Sequence, residues 1–312
     1  MTGAAPLPSP VPPGSALTVH ELIARRYSCR TYLPEPIPDG ARQRLADYMA
    51  AMTTGPFGSP ARFGLIAASP GDRDALKRLG TYGFIKGATG FIVGAVARAP
   101  KDHEDYGYLL EQIILFATGL GLGTCWLGGT FTRSTFVRRF GGLRRGETMP
   151  AVVSIGRIGD NGTERIRERK EGSRRLPGEE LFFDGGFGVP LDTGAVGAYA
   201  EALEAVRMAP SATNKQPWRL VRDGAQWHFF LRRYKHYGRR TLLFTVLRIA
   251  DLQRVDLGIA MSHFGLVARE HGLQGGWVVR DPGIPLPGKA AEYVATWVAG
   301  GVSRRPGQSR PA

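Results

Sequence analysis

Three short stretches of this chain carry residue types that could do chemistry. The first is Ala209-Pro210-Ser211-Ala212-Thr213-Asn214-Lys215-Gln216-Pro217-Trp218. Pro210 has no amide hydrogen, so it should stop a helix that the apolar spacing places over residues 196–208. Ser211 and Ala212 are small and let another molecule approach the backbone. Asn214 and Gln216 each donate and accept hydrogen bonds, and Pro217 should push Gln216 into an extended conformation. Such a loop suits a flat molecule with donors and acceptors along its edge; it also suits an ordinary helix-to-strand connection. In the second stretch, Arg26, Ser28 and Arg30 put two guanidiniums and a hydroxyl within five residues. That set suits a phosphate or polar ring edges, with a helix end whose cations complement its dipole as the plainer alternative. The third is Gly128-Gly129, where two amides without side chains can approach a ring nitrogen or oxygen, or simply turn the chain. No side-chain acid or base stands out. The histidines are scattered, and the two cysteines, Cys29 and Cys125, show neither disulfide framework nor zinc spacing, which fits a reducing compartment.

The elements that must hold these stretches follow from patterning. At 312 residues, 43% hydrophobic and 22% charged, the chain is a globular protein with core enough for one large domain or two small ones. The net charge of +14 permits a nucleic acid or an anionic cofactor as partner, but the arginines are spread out, as on a solvated surface. Thr18-x-x-Glu21 is a capping box ahead of a first helix, and Asp39 caps a second that runs to Met52. Helices are also expected over residues 72–78 and 106–120, and strands over 61–68, 91–97, 124–127, 151–156, 218–222 and 293–299. The longest uncharged run, 112–132, is interrupted by five glycines, so it reads as a helix end, a turn and a strand rather than a membrane span. Residues 1–17 read as a disordered Pro/Ala/Ser-rich lead, 161–190 as a basic linker without periodicity, and 301–312 as a disordered tail.

Taken together, the motifs resemble the FMN-dependent nitroreductase family. The Ala-Pro-Ser-x-x-Asn-x-Gln-Pro-Trp loop is similar to that family's flavin-contacting loop. Arg26-Tyr27-Ser28-Cys29-Arg30-Thr31-Tyr32 is similar to its Arg-x-Ser-x-(Arg/Lys)-x-aromatic motif, and Gly121-Leu122-Gly123-Thr124-Cys125-Trp126-Leu127-Gly128-Gly129 to its Gly-Leu-Gly-x-x-Trp-x-Gly-Gly segment. The order departs from the family, where the Ala-Pro-Ser loop follows the Arg-x-Ser motif within one short subunit. Here the loop lies in the second half of a longer chain.

An internal repeat accounts for the departure. Pro60-Ala61-Arg62-Phe63 matches Pro217-Trp218-Arg219-Leu220 at a spacing of 157 residues, and the glycine-rich helix end before Trp126 matches the one before Trp277 at 151. Such spacings are those of a divergent tandem duplication, with half one at 18–160 and half two at 191–300. The resemblance implies an α+β fold: a mixed, largely antiparallel sheet flanked by helices, duplicated within the chain. Helix–strand alternation alone would also permit a parallel sheet. In the proteins that the chain resembles, FMN lies between two subunits; here the two halves would stand in for them, as a single-chain pseudo-dimer with one site.

The resemblance further implies that Arg26, Ser28, Arg174 and Arg175 hold the FMN phosphate or ribityl chain. It puts Arg30 at the pyrimidine edge and Leu127, Gly128 and Gly129 at the reactive edge, with Pro210, Ser211, Ala212 and Asn214 closing the site from half two. The expected activity is hydride transfer from NADH or NADPH through FMN to a small acceptor such as a nitroaromatic or quinone, in a cytoplasmic monomer or weak homodimer, with no membrane and no nucleic acid involved. Two other classes stay open: a non-catalytic flavin or nucleotide binder, and a nucleic-acid binder using the interleaved Arg232-Arg233-Tyr234-Lys235-His236-Tyr237-Gly238-Arg239-Arg240.

Overall fold

A computed structural model of the chain describes residues 7–68, 76, 79, 81, 83–159, 174–234, 250–288 and 290–300. In half one, strands β1 (Ala61–Ala67), β2 (Gly90–Ala97), β3 (Leu122–Leu127) and β5 (Val152–Arg157) form an antiparallel sheet in the order β1-β2-β5-β3. The short β4 (Glu147–Thr148) pairs with the end of β2. In half two, β7 (Trp218–Asp223), β8 (Gln226–Arg232), β9 (Gly275–Val278) and β10 (Ala291–Ala299) are ordered β7-β8-β10-β9 and are again antiparallel. Four strands of each sheet thus repeat one another in order and direction. The fold is α+β with largely antiparallel sheets, as expected; among the described residues the one parallel ladder joins β6 (Phe182–Asp184) to β7.

The α-helices among the described residues are α1 (Val19–Arg25), α2 (Asp39–Ala51), α3 (Asp102–Gly119), α4 (Arg133–Arg139), α5 (Gly178–Leu181), α6 (Tyr199–Met208) and α7 (Leu252–Glu270). Helix α3 begins ahead of the expected residue 106 because Asp102, Glu104 and Asp105 occupy its first turn, where carboxylates face the positive end of the helix dipole. Helices α3 and α7 are buried along most of their length and lie against each other between the sheets. Their approach depends on two glycines. A Cβ on Gly107 would fall on the carbonyl oxygen of Val255, and a Cβ on Gly258 would fall on that of Glu104. Gly107 and Gly258 are 151 residues apart, and so are Glu104 and Val255, so the contact is reciprocal.

Helix α1 ties the halves together. Its Thr18 capping box forms as expected, and Glu270 at the end of α7 also accepts hydrogen bonds from the amides of Val19 (2.6 Å) and His20 (3.2 Å). Leu22 and Ile23 then join the core that α6 and α7 build with Trp218, Trp227 and Trp297. A separate core under the first sheet gathers Leu45 and Met49 of α2, Ile113 and Phe116 of α3, and Ile92 and Val153.

Four expectations need correction. Residues 7–17 are no loose lead: Leu7, Val11 and Leu17 pack against the cores, and Tyr48 Oη and Arg44 Nη2 donate to the carbonyls of Pro8 and Pro13. The 161–190 linker is not structureless throughout, because α5 and β6 lie within it and β6 extends the second sheet. Asp39 is the first residue of α2 rather than its cap. The helix expected over 196–208 is a 3₁₀ turn, Thr193–Val196, followed by α6, with the break at Gly197 (φ +58°). The run 112–132 is the end of α3, a turn at Gly121 and β3, and no helix among the described residues is long and apolar enough to cross a membrane. The helix expected over 72–78 falls outside the described residues except for Leu76. Most of the basic 165–175 run, the stretch after Tyr234 and the 301–312 tail also lie outside them.

Candidate functional site

A cavity of about 260 Å³ opens between the halves. That is just below the ~300–1,000 Å³ usual for small-molecule sites. One wall comes from half one. The segment after α1 runs alongside β3: Ser28 bridges Thr124 in parallel, the Cys29 amide donates to the Thr124 carbonyl (2.9 Å), and the Lys86 amide donates to that of Arg30 (2.8 Å). Extended backbone alternates its side chains, so Cys29 is buried while Ser28 and Arg30 line the cavity. The end of β3 adds Trp126, Leu127 and Gly128, and Phe84 stands exposed at the rim. The opposite wall is half two: Pro210, Ser211, Ala212 and Thr213 from the loop, and Leu252, Val255, Asp256 and Ile259 from α7.

The loop is strained and braced. Thr213 (φ +52°), Asn214 (+56°) and Gln216 (+48°) all lie in the left-handed region, which costs a non-glycine residue roughly 1–3 kcal/mol. Gln216 is therefore not extended, contrary to the expectation from Pro217. Its buried side chain offsets the strain: Oε1 accepts from the Leu176 amide (2.8 Å), and Nε2 donates to the carbonyls of Arg174 and Asn214 (both 3.3 Å). Its backbone amide donates to Ser211 Oγ (2.9 Å). Arg175 works on the same turn, donating to the carbonyls of Met208 (3.0 Å) and Ala209 (2.6 Å) at the end of α6 and to Asn214 Oδ1 (2.8 Å).

Seven of the twelve residues singled out by sequence line the cavity: Ser28, Arg30, Leu127, Gly128, Pro210, Ser211 and Ala212. Arg26, Gly129, Arg174, Arg175 and Asn214 do not. Arg26 is buried, its Nε 3.8 Å from Glu111, whose other oxygen accepts from Trp126 Nε1 (2.8 Å). Glu111 Oε1 also meets His263 Nε2 (3.0 Å), and His263 Nδ1 faces the Ala205 carbonyl (2.8 Å). This buried chain pins the indole that forms part of the cavity wall. A Cβ on Gly128 would collide with the Leu252 side chain, so that glycine also lets α7 come close to β3.

Sequence reading missed Asp256. Its carboxyl is buried, lines the cavity and accepts from the Ala212 amide at 3.0 and 3.1 Å. Burial, with the Asp251 charge adding to it, holds this carboxyl well above the usual carboxylate range despite the Ala212 bond. A signal was present: Asp256 is the lone acid in the long apolar interior of α7, and it stands 151 residues after Asp105. The cavity is thus apolar on most sides, with one guanidinium, two serine hydroxyls and one buried carboxyl converging on it. It suits a flat heteroaromatic ring with acceptors at its edge. Among the described residues no cluster of three or more metal-ligating side chains occurs.

The family model described as "Putative TM nitroreductase" matches residues 18–268. Among solved structures, a "putative nitroreductase" from Thermotoga maritima is similar, with a TM-score of 0.56 and 19% identity over 90% of this chain and 94% of that one. Shorter chains match in part. An "oxidoreductase containing FMN" is 21% identical over 61% of this chain and 100% of its own, with a TM-score of 0.44. A "putative nitroreductase in complex with fmn" from Desulfovibrio desulfuricans is 24% identical over 46% of this chain and 88% of its own, with a TM-score of 0.37. Comparison with curated proteins gives no match.

Proposed function

The chain belongs to the nitroreductase family whose model spans residues 18–268, and from that premise we propose that it is an FMN-dependent oxidoreductase carrying hydride from NADH or NADPH to a small organic acceptor such as a nitroaromatic or quinone. One observation carries the reading: a single cavity is lined from half one by Ser28, Arg30, Leu127 and Gly128 and from half two by Pro210, Ser211 and Ala212. These are the residues that the family resemblance assigns to flavin contact. Two of the similar proteins are described as containing FMN or as being in complex with it. The halves then act as the two subunits of a pseudo-dimer, with one site per chain.

The lining fits the ring system. Leu127, Leu252, Val255 and Ile259 offer apolar faces, and Ser28, Ser211 and Arg30 offer hydrogen bonds at the edges. Bound FMN supplies the hydride chemistry, and the protein supplies placement and electrostatics. Arg30 places positive charge beside the ring edge, where it favours an anionic ligand state. The braced loop forms the wall of the cavity on the side of half two. Arg174, which is exposed, is left to hold the phosphate; Arg26 and Arg175 act behind the site by fixing Glu111 and the loop. Of the basic stretch proposed for nucleic acid, Arg233 is committed to Asp251 (2.7 Å) and Glu292 (3.0 Å).

The test is the visible spectrum of the purified protein and an FMN titration of any colourless sample, followed by NADH and NADPH oxidation with quinones and nitroaromatics. A flavin spectrum with turnover is expected, and Arg30→Glu should weaken FMN binding at least about tenfold. A folded protein that takes up no FMN ends this reading, and one that binds FMN without turnover is a non-catalytic binder.

A further inference from the structure

Asp256 carries more than packing. Its carboxyl lies on the cavity wall contributed by α7, 3% exposed, and its neighbours among the described residues leave it half satisfied. Among the described residues its hydrogen bonds come from one donor, the Ala212 amide, which lies 3.0 and 3.1 Å from the two oxygens. An ionised carboxylate offers only acceptors and at this burial needs a cation or several donors. Two cations close to it along α7 or on the loop it holds are engaged elsewhere. Arg254 on the same helix is bound to Glu104 of α3 and to Glu292 of β10, both at 2.7 Å, and Lys215 of the loop lies over the Tyr234 ring. Arg30 lines the cavity with Asp256. Asp251 adds a like charge. A neutral carboxylic acid resolves the geometry: one oxygen accepts from Ala212, and the hydroxyl points its proton elsewhere.

We propose that Asp256 is the ligand-reading residue of this cavity, anchoring the Ala212 amide with one oxygen and donating a hydrogen bond from the other to an uncharged acceptor atom on the edge of the heteroaromatic ring bound there. The proposal rests on the flavin reading above. Asp105, the residue at the matching position in half one, shows what the device is without a ligand. Its two oxygens accept from the amides of Phe57 and Ser59, each at 2.8 Å, so both are filled from within the protein. In half two a single amide is present, and the cavity takes the place of the second.

Two substitutions separate this from a structural role. In Asp256→Asn the amide oxygen still accepts from Ala212 and the NH₂ group still donates, so it copies the neutral acid. In Asp256→Ala both bonds are lost. FMN affinity is measured by quenching of flavin fluorescence on apo-protein, and the thermal midpoint of each apo-variant is recorded alongside. The expected result is a loss of about tenfold for Asp256→Ala and a change within about twofold for Asp256→Asn. If Asp256→Asn loses as much as Asp256→Ala, the carboxyl acts as an ion and the proposal is overturned. If neither variant alters affinity, Asp256 does not meet the ligand and the proposal is again overturned. Should Asp256→Ala fail to fold, Asp256→Leu takes its place as the variant that lacks both bonds and is expected to show the same loss of about tenfold; unchanged affinity in a folded Asp256→Leu, or a loss of about tenfold in Asp256→Asn, sinks the idea. A folded wild type that binds no FMN is a separate failure, which removes the flavin reading and this inference with it.

Discussion

The two halves use one device to opposite ends. In each, a buried aspartate on the central helix holds the backbone of the loop that follows the preceding helix: Asp105 holds Phe57 and Ser59, and Asp256 holds Ala212. In half one the loop folds down onto the carboxyl. Gly55 has no side chain there because a Cβ would run into the Asp105 carboxyl, whereas Ala212, the residue 157 positions later, carries its methyl beside a cavity. The loop of half one can therefore be saturated by its own aspartate, and that of half two is propped open by the Gln216 and Arg175 bonds. The comparison teaches that divergence between repeats need not remove a feature. It is enough to change how many of its hydrogen bonds are filled internally.

The largest effect tests the axis about which the halves are compared. Gly107→Ala and Gly258→Ala should each destabilise the chain by about 3 kcal/mol in urea unfolding, because each methyl meets a backbone carbonyl that cannot move away alone. A large loss from one and none from the other would mean that the α3–α7 contact is not reciprocal.

A smaller effect should distinguish the aspartates. Asp105→Asn sets an NH₂ group against one of two backbone N–H donors, and should cost about 1–3 kcal/mol. Near pH 4, where the buried acid and the amide are both neutral, Asp256→Asn meets one donor and an open cavity, and should cost under about 0.5 kcal/mol. Equal losses would erase the contrast.

The last contrast is in pH dependence. The folded chain raises the Asp256 carboxyl well above its unfolded value of about 3.9. Its contribution to stability is then fully present below about pH 4 and falls as pH rises toward the folded value, by at most about 1.4 kcal/mol per pH unit. Relative to Asp256→Asn, the wild type should lose stability as the pH rises above about 4. Parallel melting curves across that range would show the group to be ionised on folding after all. The raised carboxyls of Asp105 and Glu104 are common to both proteins, so the difference isolates Asp256.

What could be read along the chain was local. The Thr18 capping box, the proline stop before Ser211, the glycine turn after α3 and the two repeat spacings each depend on residues within a few positions of one another, or on a pattern repeated intact. The family motifs belong to the same class, and they named most of the cavity wall. β8 escaped because Trp227 through Leu231 are buried on both faces, which removes the alternation that marks a strand. Gln216 escaped because the bias from a following proline is small beside the bonds that its buried amide makes to Leu176, Arg174 and Asn214. Arg26 and Arg175 were expected at the phosphate or ribityl chain, yet neither lines the cavity, because their partners, Glu111 and the end of α6, lie on other elements. Asp256 is the clearest case. Its residue type and its place in an apolar helix were visible in the sequence, but a carboxyl's charge depends on every donor, charge and solvent path around it. Only the tertiary structure, by bringing Ser28, Ala212 and Asp256 to one cavity, determined those.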